Sequence, residues 1–204
     1  DVTDGTTSVS TTASLNIAVI NDVPDVSSAI SGAADDKDAT FTIDLLSGAT
    51  DVDAGDTLTI TGLTSSGDTT GIALNTDNTL SVDPTAYASL PAGATENIIY
   101  SYTVTDGNGG TVAQTATVTI TGTDDAPVVS GDVTGAVTED VGSYSAQGAL
   151  SVTDVDDSTA AFQSGTVAGD YGAVTIDAAG AWAYTVDNDL AAVQSLGEGE
   201  TLSD

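Results

Sequence analysis

The chain has 204 residues, of which 31 are acidic and one is basic (Lys37), with no histidine, no cysteine and a formal net charge of −30. That balance excludes disulfide stapling, thiol chemistry and zinc sites of the His/Cys kind, and it repels nucleic acids and anionic lipid surfaces. A hydrophobic content of 40% still supplies enough apolar side chain to build cores, and no stretch approaches the roughly 20 apolar residues needed to span a bilayer.

So few basic side chains leave most carboxylates without an ion-pair partner. At neutral pH they stay ionised, so they must be solvated or hold cations. The sequence carries neither an initiator Met nor a signal peptide, which points to a processed chain or an excerpt from a longer one.

Residues 1–22 open on the turn Thr3-Asp-Gly-Thr6. Leu15, Ile17 and Val19 then alternate with Asn16, Ala18 and Ile20, the period-two pattern of a strand with one buried face. One strand cannot fold alone, so this segment belongs to a sheet whose remainder lies elsewhere. The acidic, proline-ended stretch Asn21-Asp-Val-Pro24 follows as a linker.

Residues 23–125 form a complete all-β domain on the sequence pattern. Phe41–Leu45, Thr57–Leu63, Gly71–Leu74 and Thr79–Val82 are strand-like. Asp83 with Pro84 has the N-cap and first-position pairing of a short helical turn. Asn97–Val104 and Thr115–Ile120 make a hairpin around Asp106-Gly-Asn-Gly-Gly110. About seven short strands in about 100 residues predict an immunoglobulin-like β-sandwich.

Residues 126–204 begin a second domain of the same kind. Ala149–Val152, Gly172–Ile176 and Ala181–Val186 are strand-like, Trp182 is a core anchor, and Asn188–Leu196 carries a short helical turn. The final hairpin has no equivalent here. What is missing resembles residues 1–22: Asp4-Gly5 corresponds to Asp106-Gly107, and Leu15–Ile20 to Thr115–Ile120. Either a neighbouring copy supplies it, as strand complementation between subunits, or the next stretch of one continuous chain does.

An internal repeat ties these parts together. Pro24 and Pro127 stand 103 residues apart (127 − 24), and the same step carries Asp22 to Asp125, Asp36 to Glu139, Asp51 to Asp154 and Asp53 to Asp156. Repetition at a fixed period implies a tandem array. Asp51-Val-Asp-Ala-Gly-Asp56 and Asp154-Val-Asp-Asp157 place carboxylates at one- and two-residue spacing on tight loops. Hard oxygen ligands in a flexible loop suit Ca²⁺, although neither stretch has the Gly and Glu offsets of an EF-hand. Asp and Gly also favour turns on conformational grounds alone. The recurrence of the loop beside an acidic linker favours the cation.

The linker Asn21–Pro24, the Asp51-Val-Asp53 loop and the Thr105-Asp-Gly107 turn resemble bacterial cadherin-like repeats. The segments Gly131–Asp140, Gly148–Asp154 and Gly180–Asn188 resemble the VCBS repeat. These repeats build the extender regions of large secreted adhesins and biofilm fibres. The resemblance implies Ca²⁺ at each junction between domains. It implies one ligand set of Asn21, Asp22, Asp36, Asp51 and Asp53, and a second of Asp124, Asp125, Glu139, Asp154 and Asp156. Asp4 and Asp106 would add to a junction from the preceding domain's turn.

The expected function is therefore a calcium-rigidified structural repeat of an extracellular bacterial filament or adhesin stalk. Its partners would be adjacent repeats or copies of itself and components of the cell surface or matrix, without nucleic acid or membrane insertion. A ligand- or glycan-binding module is the alternative, against which stands an aromatic content of only 4%. Paired carboxylates such as Asp51 and Asp53 could serve glycosidase chemistry, but they recur at each junction rather than once in a cleft, and the chain has no His, Cys or Arg to assist them.

Overall fold

A computed structural model describes residues 1–204 apart from Thr11, Val19 and Ser143. The chain opens with a two-stranded ribbon, β1 (Val2–Thr3) against β2 (Ser8–Val9), closed by a turn in which Asp4 Oδ1 accepts hydrogen bonds from the Thr6 and Thr7 amides at 2.9 and 2.8 Å. The strand expected over residues 15–20 does not form among the described residues, and Val19 lies outside them. Leu15 and Ile17 are 86% and 82% exposed. Alternation supplies one apolar face, but a strand also needs a neighbouring edge to bond, and none pairs with the described residues of this segment.

The first unit contains β3 (Asp25–Val26), β4 (Ile30–Asp35), β5 (Phe41–Asp44), β6 (Ala49–Thr50), β7 (Thr59–Ser66), β8 (Ile72–Leu74), β9 (Thr79–Val82), β10 (Thr95–Thr105) and β11 (Thr111–Thr121). One sheet runs β4-β11-β10-β7, a second β5-β9-β8, and β3 pairs with β6. β4 lies parallel to β11, while the other pairs are antiparallel. Alternation along the long hairpin decides the layering. Ile98, Tyr100, Tyr102 and Val104 of β10 and Ala116, Val118 and Ile120 of β11 face inward against Leu45, Leu80 and Val82. Each large apolar side chain buried this way contributes about 1.5–3 kcal/mol over an exposed one.

Polar groups inside this core are satisfied. Tyr102 Oη donates to the Leu45 carbonyl at 2.7 Å, and Gln114 Nε2 donates to the Ser28 carbonyl at 2.8 Å. Between β9 and β10, Pro84–Tyr87 makes a 3₁₀ turn capped by Asp83, whose Oδ1 accepts from Thr85 N at 3.2 Å.

The second unit is one sheet in the order β12-β13-β16-β15-β14, made of β12 (Val128–Gly131), β13 (Ser145–Thr153), β14 (Gly165–Ala168), β15 (Gly172–Ile176) and β16 (Ala181–Val186). A single helical turn, α1 (Ala191–Gln194), follows. Trp182 lies across the sheet as an anchor: its Nε1 donates to the Asp132 carbonyl at 2.7 Å, and a Cβ placed at Gly148 would meet its ring at 2.6 Å. Among the described residues, Val193 is the one fully buried hydrophobic side chain of this unit, whereas the first unit holds the rest.

Candidate metal centres at the unit entries

The linker residues and the Asp-x-Asp loops meet twice, in the same way. Asp22 N donates to Asp53 Oδ2 at 2.7 Å, and Asp53 N donates to Asp51 Oδ1 at 2.9 Å. One repeat later, Asp125 N donates to Asp156 Oδ1 at 3.3 Å, and Asp156 N donates to Asp154 Oδ1 at 3.3 Å. Each loop is an Asx turn that aims its carboxylates at the entering chain.

At the first entry the hairpin turn between β10 and β11 completes the group. Asp106 Oδ1 accepts from the amides of Asn108, Gly109 and Gly110 at 2.7, 3.0 and 3.0 Å, and its Oδ2 accepts from Asn21 Nδ2 at 2.9 Å. The Asn21 amide, followed by these backbone donors, holds the Asp106 carboxyl below its ordinary value despite opposing desolvation. Gly110 is required here because a Cβ would collide with Asp106 and with the Asp22 carbonyl. Asn108 Nδ2 donates to Asp56 Oδ1 at 2.8 Å.

Ligand-type oxygens of Asp51, Asp56 and Asp106 thereby converge within 4.8 Å of one another. Asp51 Oδ2 and Asp56 Oδ2 are buried without a hydrogen-bond partner. An all-oxygen group with orphaned, converging carboxylates fits a hard cation such as Ca²⁺.

The second entry differs in carrying the chain's one basic side chain. Lys37 Nζ lies 2.9 Å from Asp125 Oδ1 and also donates to the Asp124 carbonyl. Asp125 Oδ2 is buried without a partner. Asp156 has a raised pKa, first through its hydrogen bond to Asp154 and then through burial, as expected of two carboxyls held close together.

Three expected ligands sit elsewhere than assigned. Asp36 does not join Asn21 and Asp22. It is fully buried at the far end of the first unit, where its carboxylate accepts from Thr123 Oγ1 at 2.6 Å and Thr123 N at 3.1 Å. β4 runs parallel to β11 and carries Asp36 past the Thr121 end, whereas Asn21 bonds the turn at the Thr111 end. The 11 residues of β11 put roughly 30 Å between them. Asp36 thus belongs with Asp124 and Asp125.

Glu139 is displaced in the same sense, lying beyond the Ser145 end of β13 rather than at its Thr153 end with Asp154, next to Asp140, which pairs with Asn188 and Gln194. Asp106 serves the entry of its own unit rather than the junction after it, because the β10–β11 turn folds back to the entering linker. Asp4 closes its own turn. Asp56, Asn108, Lys37 and Thr123 were not assigned from sequence. Asp56 was signalled by its place in the same acidic loop, and Lys37 by being the lone base.

Comparison with known families fits this layout. The profile described as "Cadherin-like domain" matches residues 20–121, and that described as "Bacterial cadherin-like domain" matches residues 124–203. The chain belongs to the cadherin-like domain family. Its fold is all-β, with tandem immunoglobulin-like units.

Among solved structures, the cadherin-like chain is similar to the human desmocollin-1 ectodomain, with 13% identity, TM-score 0.37, and coverage of 85% of this chain and 32% of that one. It is also similar to the protocadherin gammaB7 EC3–6 cis-dimer, with 10% identity, TM-score 0.41 and coverage of 82% and 39%. Protocadherin gamma B2 extracellular cadherin domains 3–6 give 11% identity, TM-score 0.40 and coverage of 82% and 39%. This chain thus spans only about a third of those chains. No curated protein matches it significantly in sequence. Among the described residues, no helix is long and apolar enough to cross a membrane.

Proposed function

We propose that the chain is a structural repeat of an extracellular bacterial filament or adhesin stalk, serving adhesion and biofilm formation, stiffened by Ca²⁺ at the unit entries. Residues 23–125 and 126–204 are the repeating units, and residues 1–22 belong to the sheet of a preceding or neighbouring one. The observation that carries this reading is the convergence of Asp51, Asp56 and Asp106 beside Asn21, with two buried carboxylate oxygens lacking any donor.

Asp51, Asp56 and Asp106, with Asp22, Asp53 and Asn21 alongside, would hold the ion at the first entry. Asp125, Asp154 and Asp156, with Asp36 and Asp124, would hold it at the second. Bound Ca²⁺ supplies the positive charge that these carboxylates lack. Without it they repel one another, and the chain's own hydrogen bonds from the Asn21 side chain and the Asp22 amide hold the linker alone. Cadherin-like domains are non-enzymatic adhesion modules, in keeping with a mechanical role.

Calorimetric Ca²⁺ titration and X-ray scattering with and without EGTA test the reading. Saturable binding, a longer maximum dimension and a higher melting temperature with Ca²⁺ are expected. Identical scattering and melting in both buffers would overturn it.

A further inference from the structure

Lys37 is positioned by the turn that carries it. Asp38 N donates to the Asp35 carbonyl at 3.0 Å and Asp35 N donates to Asp38 Oδ2 at 2.9 Å, so the turn after β4 is closed from both sides. Beside Lys37, Asp36 N donates to the Thr121 carbonyl at 2.9 Å, and the Asp36 carboxylate holds Thr123. With the backbone fixed on both flanks, only the rotamers of the Lys37 side chain remain to be ordered.

From this turn the ammonium reaches the linker and donates to Asp125 Oδ1 and to the Asp124 carbonyl. A carboxylate oxygen and a main-chain carbonyl oxygen are also ligands that Ca²⁺ takes from a protein. The charges of Asp36 and Asp156 act on the same ammonium. Nζ therefore stands where the second entry calls for positive charge, while Asp125 Oδ2 stays buried without a partner.

The 103-residue step (140 − 37) carries Lys37 to Asp140. Asp140 keeps to its own unit, accepting from Asn188 Nδ2 at 3.1 Å and from Gln194 Nε2 at 3.3 Å. A cation at this position thus belongs to the linker between the two units and not to the repeat.

We infer that Lys37 is a tethered counter-ion that competes with Ca²⁺ for the second entry. The inference rests on the calcium reading of the entries. With no ion bound, the ammonium neutralises Asp125 and ties the linker to the turn after β4. An arriving ion must take Asp125 Oδ1 and the Asp124 carbonyl from it. The second entry therefore fills only at a higher Ca²⁺ concentration than its carboxylates would need alone, and below that concentration the linker keeps one clasp.

Calorimetric Ca²⁺ titration of the full chain at low salt tests this. Asp51→Asn with Asp56→Asn blunts the first entry, and the remaining heat reports the second. In that background Lys37→Gln is expected to tighten Ca²⁺ binding roughly fivefold, the scale of one exposed ion pair. It should also enlarge the rise in melting temperature on adding Ca²⁺, and its gain should fade at high salt. Lys37→Arg, which keeps the charge, should stay near the parent. So should Gln147→Glu, which makes the same change in net charge near the Ser145 end of β13. Equal second-entry affinity in Lys37→Gln and its parent, no second-entry binding in either, or the same gain from Gln147→Glu would overturn the inference while first-entry binding in the wild type stands. A wild-type chain that takes up no Ca²⁺ at either entry would overturn the calcium reading, and this inference with it.

Discussion

Lys37 Nζ stands 2.9 Å from Asp125 Oδ1, which places the chain's one basic side chain on the linker between its two units. Its ammonium pKa is raised by the Asp125 hydrogen bond, against some desolvation, and further by the charges of Asp125, Asp36 and Asp156. A base whose folded pKa exceeds its unfolded value stabilises at neutral pH and loses that contribution as pH rises through the folded value. Lys37→Gln is therefore expected to lower the melting temperature in EGTA at neutral pH and low salt. The gap to wild type should shrink in high salt, and again above the lysine's pKa. Calorimetry at paired salt and pH conditions checks this, and a gap indifferent to both would contradict it.

Asn108 orients Asp56 without itself being a carboxylate. Partners of ligating groups are worth about tenfold or more in metal affinity. Asn108→Ala is expected to weaken Ca²⁺ binding at the first entry by roughly that factor, while Asp157→Asn, outside the converging group, leaves it unchanged. Titration calorimetry on both variants separates a specific site from diffuse attraction to a net charge of −30.

Asp36 is fully buried and accepts from both the amide and the hydroxyl of Thr123. Asp36→Ala leaves that amide without its acceptor and is expected to cost about 1–3 kcal/mol, measurable by denaturant unfolding in EGTA. Asp36→Asn, which retains one acceptor oxygen, should cost less.

Tyr102 buries its hydroxyl against the Leu45 carbonyl, and burial, aided by the charge of Asp44, pushes its pKa up to about 12. Tyr87 is pushed to about 12 as well, by burial and then by Asp68. An acid with a raised folded pKa binds more protons folded than unfolded, so stability falls as pH rises from about 10 towards 12. Spectroscopic tyrosinate titration should show these two residues ionising late, together with unfolding. Tyr102→Phe should cost about 0.5–1.5 kcal/mol at neutral pH and soften the alkaline loss.

The long strands were legible because β10 and β11 alternate apolar and polar residues over most of their length, and the Asp83–Pro84 turn because its cap chemistry is local. The Asp-x-Asp loops were legible from their 103-residue recurrence. Asp36 was not, because spacing along a chain does not say at which end of a sheet a strand stops, and parallel β4 carries it away from the linker it follows. Asp106 reaches the first entry only because the β10–β11 turn lies at the end of the sheet where the linker enters. Leu15–Ile20 has the pattern of a strand, but its described residues pair with no edge.

The Lys37–Asp125 contact also bears on how long such a chain would survive outside a cell. Enzymes of the trypsin type cut after Lys or Arg, and this sequence offers them a single bond, Lys37–Asp38. That bond lies in the tight turn after β4, where Asp38 N donates to the Asp35 carbonyl at 3.0 Å, and the side chain such an enzyme must draw into its pocket is bound to the linker. Cleavage there would first have to draw the Lys37 side chain away from Asp125.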